Sequence, residues 1–104
     1  MKTALKMLSL VTCISNAALA APGNETEMLQ NLLVQDCGSC HGLTMRGGLG
    51  PALLPETLAD KPDSLLINTI LEGRPGTAMP PWKALLSRQQ ASWMVQQLKQ
   101  GIKQ

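Results

Sequence analysis

Apolar residues recur along this chain at the spacing of helices. In three stretches they lie three and four residues apart, which places them on one face of a helix. We therefore predict helices over 25–36, over 62–72, and from Ser87 towards the end of the chain. The expected buried face of the last helix consists of Ala91, Met94, Val95 and Leu98. No stretch alternates convincingly between apolar and polar residues, so the pattern predicts an all-α fold.

The predicted helix starts carry capping residues. Asn24 is followed three residues later by Glu27, and Ser87 in the same way by Gln90. Each pair predicts a capping box, in which two side chains bond to the backbone at the helix start. Pro62 fits the first position of the middle helix, where a backbone N–H has no partner within the helix.

Two segments rich in glycine and proline separate the helices. Residues 42–61 and 73–82 have no sustained period, and their prolines remove backbone donors. Both are predicted to be extended loops, with Gly42 ending the first helix and Gly73 ending the middle one. A loop as long as 42–61 in so small a domain needs a surface to pack on.

The first twenty residues read as an export signal. Two lysines precede a short apolar stretch, and Ala20 completes a small-x-small cleavage pattern. The stretch is too short and too often interrupted by polar residues for a transmembrane helix. We therefore expect 1–20 to be a cleaved signal peptide, Cys13 to be lost with it, and 21–104 to be a single domain.

Charge and composition narrow the possible functions. Without the two signal lysines the basic residues equal the acidic ones at seven each, so the remaining chain is near neutral and does not resemble a nucleic-acid binder. It has no Phe or Tyr and only Trp82 and Trp93 as aromatic residues. Such a small chain has little bulk for a core, which a buried macrocycle would supply. We predict a poorly ordered chain when no such group is bound.

The motif Cys37-Gly38-Ser39-Cys40-His41 suggests which group this is. Two cysteines three residues apart, followed directly by histidine, form the attachment pattern of c-type haem. Each thiol can add to one vinyl group of the haem, and the histidine then reaches the iron from one side. We predict thioethers at Cys37 and Cys40 and an axial ligand at His41.

Other interpretations of this motif explain less. Structural zinc wants four protein ligands, whereas the chain after the signal offers only Cys37, Cys40 and His41 as thiol and imidazole groups. A thioredoxin-like dithiol belongs to a strand–helix context, which this chain lacks. A structural disulfide is possible in an oxidising compartment, but it gives His41 no role.

The other axial ligand has to be something other than histidine, because His41 is the only histidine in the chain. Met28 and Met94 lie on apolar helix faces, where we expect them to fill the core. Met45 follows His41 so closely that it should stay on the same side of the haem. Met79 lies in a proline-stiffened loop far along the chain, and we predict it to be the second axial ligand.

With these motifs the chain resembles class I c-type cytochromes. The resemblance rests on CGSCH at 37–41, on Gly50-Pro51, on Met79-Pro80 and on Leu86-Ser87. It implies a small fold of three main helices and long loops around one covalently bound haem c. It also implies that the carbonyl of Pro51 accepts a hydrogen bond from Nδ1 of His41. One departure is Gln97, which stands where these cytochromes often have an aromatic residue, and Trp93 is the candidate to compensate.

More narrowly, the runs 36–42, 47–53, 73–75 and 79–82 are similar to the cytochrome c-55X family, which is encoded with cytochrome cd1 nitrite reductase in denitrifying bacteria. That resemblance implies a periplasmic, monomeric one-electron carrier and not an enzyme. Its partners would be redox proteins, either the nitrite reductase or the enzymes that mature haem d1. A haem enzyme or gas sensor with a labile Met79 is the alternative from another class.

Partner docking is expected around an exposed haem edge. Pro80, Pro81 and Trp82 are candidates for that surface, and Trp82 is equally a candidate wall of the haem pocket. Three basic residues lie in the loops expected around the haem and three acidic ones in the first helix, so the charge is either lopsided enough to steer an acidic partner or simply scattered. The groups concerned are Arg46, Arg74 and Lys83 against Glu25, Glu27 and Asp36.

Overall fold

Every regular element of the computed structural model is a helix, and no strand occurs within the residues it describes, 22–103. In chain order the elements are α1 (Pro22–Leu32), a π-helical segment (Leu33–Cys37), α2 (Gly38–His41), α3 (Pro55–Leu58), α4 (Asp63–Glu72) and α5 (Arg88–Gln100). The predicted all-α class is confirmed. The predicted signal peptide, 1–20, lies outside the described residues. Over the described range, none of the helices has the length and apolar character to cross a membrane.

The first helical stretch is longer than its apolar pattern predicts. It starts at Pro22, so Asn24 lies inside the helix and the capping box predicted with Glu27 is wrong. Proline is well suited to this early position because its missing N–H would be unpaired there in any case. The stretch then runs without a break into the cysteine motif and ends at Gly42, as predicted, where φ is +89°.

A π-helical turn interrupts the regular period just before the first cysteine. The buried positions step by four residues from Leu29 to Leu33 and then by five to Gly38, whose N–H bonds to the carbonyl of Leu33. This wider turn changes the direction, around the helix axis, in which the later side chains point, including that of buried His41. A search for the 3.6-residue period does not detect such a turn.

The middle of the chain differs from prediction in two details. Pro62 has an extended backbone (ψ 142°) and precedes α4, so the helix starts one residue later than expected. The predicted loop 42–61 contains the short helix α3, which starts with Pro55 and buries Leu58 in the core. Loop composition does not reveal this short helix, because Leu58 is its only buried residue.

The start of α5 is as the sequence predicts. Oγ of Ser87 accepts from the N–H of Gln90 at 3.1 Å, and Oε1 of Gln90 accepts from the N–H of Ser87 at 2.9 Å. The predicted face is buried, with each member at most 4% exposed: Ala91, Met94, Val95 and Leu98. This capping box and buried face are both confirmed.

The core forms where α5 packs against α4, α3 and α1. The other buried apolar residues are Leu29, Leu33, Met45, Leu58, Ile67, Leu71 and Leu86. Met94 is fully buried as expected, but the prediction for Met28 is wrong, because its side chain is 49% exposed. Met28 directly precedes Leu29, so it lies about 100° around the helix from the buried face that carries Leu29 and Leu33.

Candidate haem site

The two predicted attachment cysteines lie on the same helical stretch. Cys37 ends the π-helical segment and Cys40 lies in α2; both are free thiols and partly buried. Burial raises the pKa of Cys37 to about 11, and the negative charge of Asp36 acts in the same direction. The Cys37 sulfur is therefore a protonated thiol at neutral pH in the chain without haem.

His41 follows at the end of α2, and its ring is held in one orientation. Its Nδ1 lies 2.6 Å from the carbonyl oxygen of Pro51, so this nitrogen donates its proton and Nε2 keeps a lone pair for a metal. This is the contact that the family resemblance implies. A hydrogen bond of this kind fixes the ring and increases its basicity as a ligand.

The loop after α2 brings Pro51 back to the histidine. The N–H groups of Gly47 and Gly50 bond to the carbonyls of His41 and Cys40, both at 2.8 Å. These bonds satisfy carbonyls that the end of the helix leaves without partners. Met45 is buried in this loop at φ +60°, and its carbonyl accepts from the N–H of Leu53. Sequence reasoning left Met45 without this role, since only the folded loop brings residues 45 and 53 together.

Met79 lies half-buried in the second loop, which has no helix or strand, as predicted. One backbone hydrogen bond closes this loop on itself, and two more tie its end to α4. The N–H of Arg74 bonds to the carbonyl of Met79 at 3.2 Å. On the far side of the loop, the N–H groups of Trp82 and Lys83 bond to carbonyls near the end of α4, at 3.1 and 3.2 Å.

Trp82 is half-buried and packs against the core, whereas Pro80 and Pro81 are exposed. Because Trp82 is half-buried, it could be a wall of the haem pocket or part of the docking surface, and both predictions stand. Nζ of Lys83 lies 3.1 Å from the carboxylate of Glu72, which partly offsets its positive charge. Arg46 and Arg74, the other two basic residues predicted near the haem, are exposed.

These residues fit a covalently attached haem. Two thiols and an imidazole with a free Nε2 lie on one helical stretch, and the backbone of Gly50 lies against the histidine ring where a side chain would not fit. Several large apolar side chains are more than half exposed in the structure without haem: Leu43, Leu49, Leu65 and Leu85. Over 22–103, no cluster of three or more His, Cys, Asp or Glu could hold a metal ion without the haem. The helical fold and this site define a c-type cytochrome.

Known proteins agree with that class. A family model described as "Cytochrome C oxidase, cbb3-type, subunit III" matches residues 24–97. Cytochrome c55X of Stutzerimonas stutzeri is 57% identical over 86 residues, covering 82% of this chain and 76% of the relative. Cytochrome c55X of Pseudomonas aeruginosa is 59% identical over 73 residues, covering 70% of this chain and 61% of the relative.

Solved structures give the same result. The c-type cytochrome NirC superposes with a TM-score of 0.72 at 55% identity, covering 74% of this chain and 91% of NirC. The chain thus belongs to the family of the matching model and, among class I c-type cytochromes, to the cytochrome c-55X family, and its cofactor is covalently bound haem c.

A part of a larger protein is also similar. Dihydro-heme d1 dehydrogenase NirN, solved in complex with DHE, matches with a TM-score of 0.65 at 36% identity. The match covers 72% of this chain but only 16% of NirN. The similarity therefore concerns one part of that protein and not its remaining chain.

Proposed function

We propose that this protein is a periplasmic one-electron carrier that works with cytochrome cd1 nitrite reductase. The observation that carries the haem centre is that His41, directly after Cys40, is held through Nδ1 with Nε2 left for the iron. The choice of partner is supported by the similarity to cytochrome c55X. The bound haem supplies an iron centre that changes its charge by one electron. In this proposal the chain anchors that centre, fills its axial positions and fixes its potential.

His41 and Met79 are the proposed axial ligands. The positions of the other methionines in 22–103 support this choice, because Met45 and Met94 are enclosed in the core and Met28 is exposed on α1. Two protein ligands leave no open coordination position for a substrate, which favours electron transfer over catalysis. A methionine ligand also favours the ferrous state, so the reduction potential lies on the high side for haem.

Pro51 and Trp82 have supporting roles in the proposal. The carbonyl of Pro51 orients His41 and increases the electron density on Nε2. Trp82 borders the haem, either as a pocket wall or at the edge where partners dock. Export by a signal peptide at 1–20 delivers the domain 21–104 to the periplasm, where it acts as a monomer with one haem.

A second candidate function is electron transfer during the maturation of haem d1. The observation in its favour is the similarity to one part of a dihydro-heme d1 dehydrogenase. The cofactor and ligands would be the same, and only the partner differs. Deleting the gene separates the two roles: loss of haem d1 supports maturation, whereas normal haem d1 content with slower nitrite reduction supports the carrier role.

The test of the site uses protein exported and matured in a periplasm. We expect the mass of residues 21–104 plus one haem, and a methionine–iron charge-transfer band in the ferric state. Met79→Ala should abolish this band, and Met28→Ala, a change at an exposed methionine, should leave it intact. Colourless protein, or a band that persists in Met79→Ala, would contradict the assignment.

Carbon monoxide separates a carrier from a haem enzyme or gas sensor. With Met79 on the iron, the ferrous protein should bind carbon monoxide slowly at neutral pH, and Met79→Ala should bind it fast. Rapid binding by the unaltered protein would favour the sensor or enzyme.

The proposed partner is tested by stopped-flow mixing of the reduced protein with cytochrome cd1 nitrite reductase, which should oxidise the haem. If Arg46 and Arg74 steer the encounter, this oxidation should slow as ionic strength rises.

A further inference from the structure

The end of α4 and the loop that carries Met79 are in direct backbone contact. Gly73 ends α4 with φ +68°. A Cβ atom at this residue would lie 2.7 Å from both the carbonyl carbon of Pro80 and the nitrogen of Pro81, and 2.8 Å from the carbonyl oxygen of Met79. All three neighbours are backbone atoms, which cannot rotate away as the end of a side chain could.

Hydrogen bonds hold the loop at this short distance. We call the contact between residues 73–74 and 79–83 the neck of the loop. The N–H of Arg74 donates to the Met79 carbonyl inside the neck, and the N–H groups of Trp82 and Lys83 attach its far side to α4. On the surface, Nζ of Lys83 lies 3.1 Å from the carboxylate of Glu72. The neck is therefore narrow and fixed from both sides.

We infer that Gly73 is a positioning residue for Met79: the absence of a side chain at 73 sets where the Met79 backbone lies and hence whether its thioether reaches the iron. The inference rests on the proposed function, because it takes Met79 as a ligand. Restoring an ordinary contact of 3.4 Å would move the 79–81 backbone by about 0.7 Å. Functional groups have to be held to within about 0.5 Å of their working position, so this shift is large enough to matter.

Two other glycines provide matched controls. Gly76 lies in the same loop with φ +79°, and nothing lies within 4 Å of a Cβ built there. Gly101 ends α5 as Gly73 ends α4; it has φ +90°, and only a side-chain atom of Pro55 lies nearby, at 3.6 Å. A side chain at either position adds the strain of a positive φ without crowding a ligand loop.

The experiment compares Gly73→Ala and Gly73→Asn with Gly76→Ala, Gly76→Asn and Gly101→Ala, each as the exported haem protein. Gly101→Ala separates crowding from strain, because Gly101 (φ +90°, ψ 126°) has a positive-φ backbone outside the left-handed helical region, as Gly73 does (φ +68°, ψ −167°), but no backbone atom lies near a Cβ built there. We expect both Gly73 variants to lose most of the ferric charge-transfer band, to bind carbon monoxide at least about tenfold faster, and to have a lower reduction potential. The three controls should match the unaltered protein.

The outcomes distinguish the two proposals. If the unaltered protein lacks the band, the assignment of Met79 fails first. If it has the band and both Gly73 variants keep it with unchanged carbon monoxide binding, Gly73 does not position Met79. If the Gly73 variants never accumulate as haem protein while the controls do, Gly73 serves folding and the inference is wrong.

Discussion

The backbone of Gly50 lies against the ring of His41. A Cβ atom at residue 50 would come within 2.8 Å of Cε1 and 2.9 Å of Nδ1 of the imidazole. The next residue, Pro51, accepts the hydrogen bond from that same Nδ1. One dipeptide thus provides both the space for the ring and the acceptor that orients it.

Gly50→Ala should therefore disturb His41. The methyl group displaces the ring, which weakens the hydrogen bond to Pro51 and makes Nε2 a poorer donor to ferric iron. We expect the reduction potential to rise by tens of millivolts, since a tenfold change in a one-electron equilibrium corresponds to about 59 mV. A redox titration measures it, with Gly76→Ala as the control. An unchanged potential in Gly50→Ala would show that the ring adapts without cost.

Met94→Ala should be the most damaging of the methionine truncations outside the ligand loop. Met94 is 0% exposed, and removing a buried methionine side chain costs about 2–5 kcal/mol. Urea unfolding of the ferric protein measures this loss. Met94→Leu should cost less than about 1.5 kcal/mol because it conserves volume. Met28→Ala, at a half-exposed position, should stay within about 0.5 kcal/mol of the unaltered protein. Equal losses at 28 and 94 would contradict the packing of α5.

Ser87→Ala should destabilise the start of α5. The change leaves the N–H of Gln90 without its acceptor and typically costs about 1 kcal/mol. We expect a lower urea midpoint with an unchanged slope. Ser87→Asp should restore the midpoint, since aspartate also caps helices. The control is Ser64→Ala, in the exposed first turn of α4. A midpoint that falls equally in both alanine variants would exclude capping as the cause.

Acid should weaken the contact between α4 and α5. Hydrogen bonds from Lys99 and Gln96 hold the pKa of Asp63 below its ordinary value of 3.8. Because the folded pKa is the lower one, this stabilisation is complete above the unfolded value and is lost as pH falls through the folded value. Unfolding measured between pH 6 and about pH 3 should show a smaller acid-induced loss in Asp63→Asn than in the unaltered protein.

The control for this acid effect is Asp60→Asn. The Asp60 carboxylate is well exposed and 3.9 Å from Lys61, whereas Asp63 lies 2.6 Å from Lys99. Removing the Asp60 charge should leave the pH profile close to that of the unaltered protein. Profiles that flatten equally in both variants would assign the acid sensitivity to overall charge and not to the Asp63–Lys99 contact.

The sequence by itself determined the features that depend on near neighbours along the chain. These include the attachment motif at 37–41, the three main helices, the capping box at Ser87 and the buried face of α5. A helical period, a CxxCH spacing and the Ser87–Gln90 cap each involve residues at most a few positions apart, so the letters alone indicate them. The Asn24–Glu27 pair has the same spacing but lies inside α1 and does not start it.

Tertiary structure decided what depends on the crossing of distant segments. The π-helical turn before Cys37, the exposure of Met28 and the close approaches at Gly50 and Gly73 follow from which surfaces meet. A helical pattern predicts that a face is buried, but its edges are set by the partner helix that covers it. A glycine in a loop likewise predicts a turn, and only the folded chain reveals which backbone or ring occupies the space that its missing side chain leaves free.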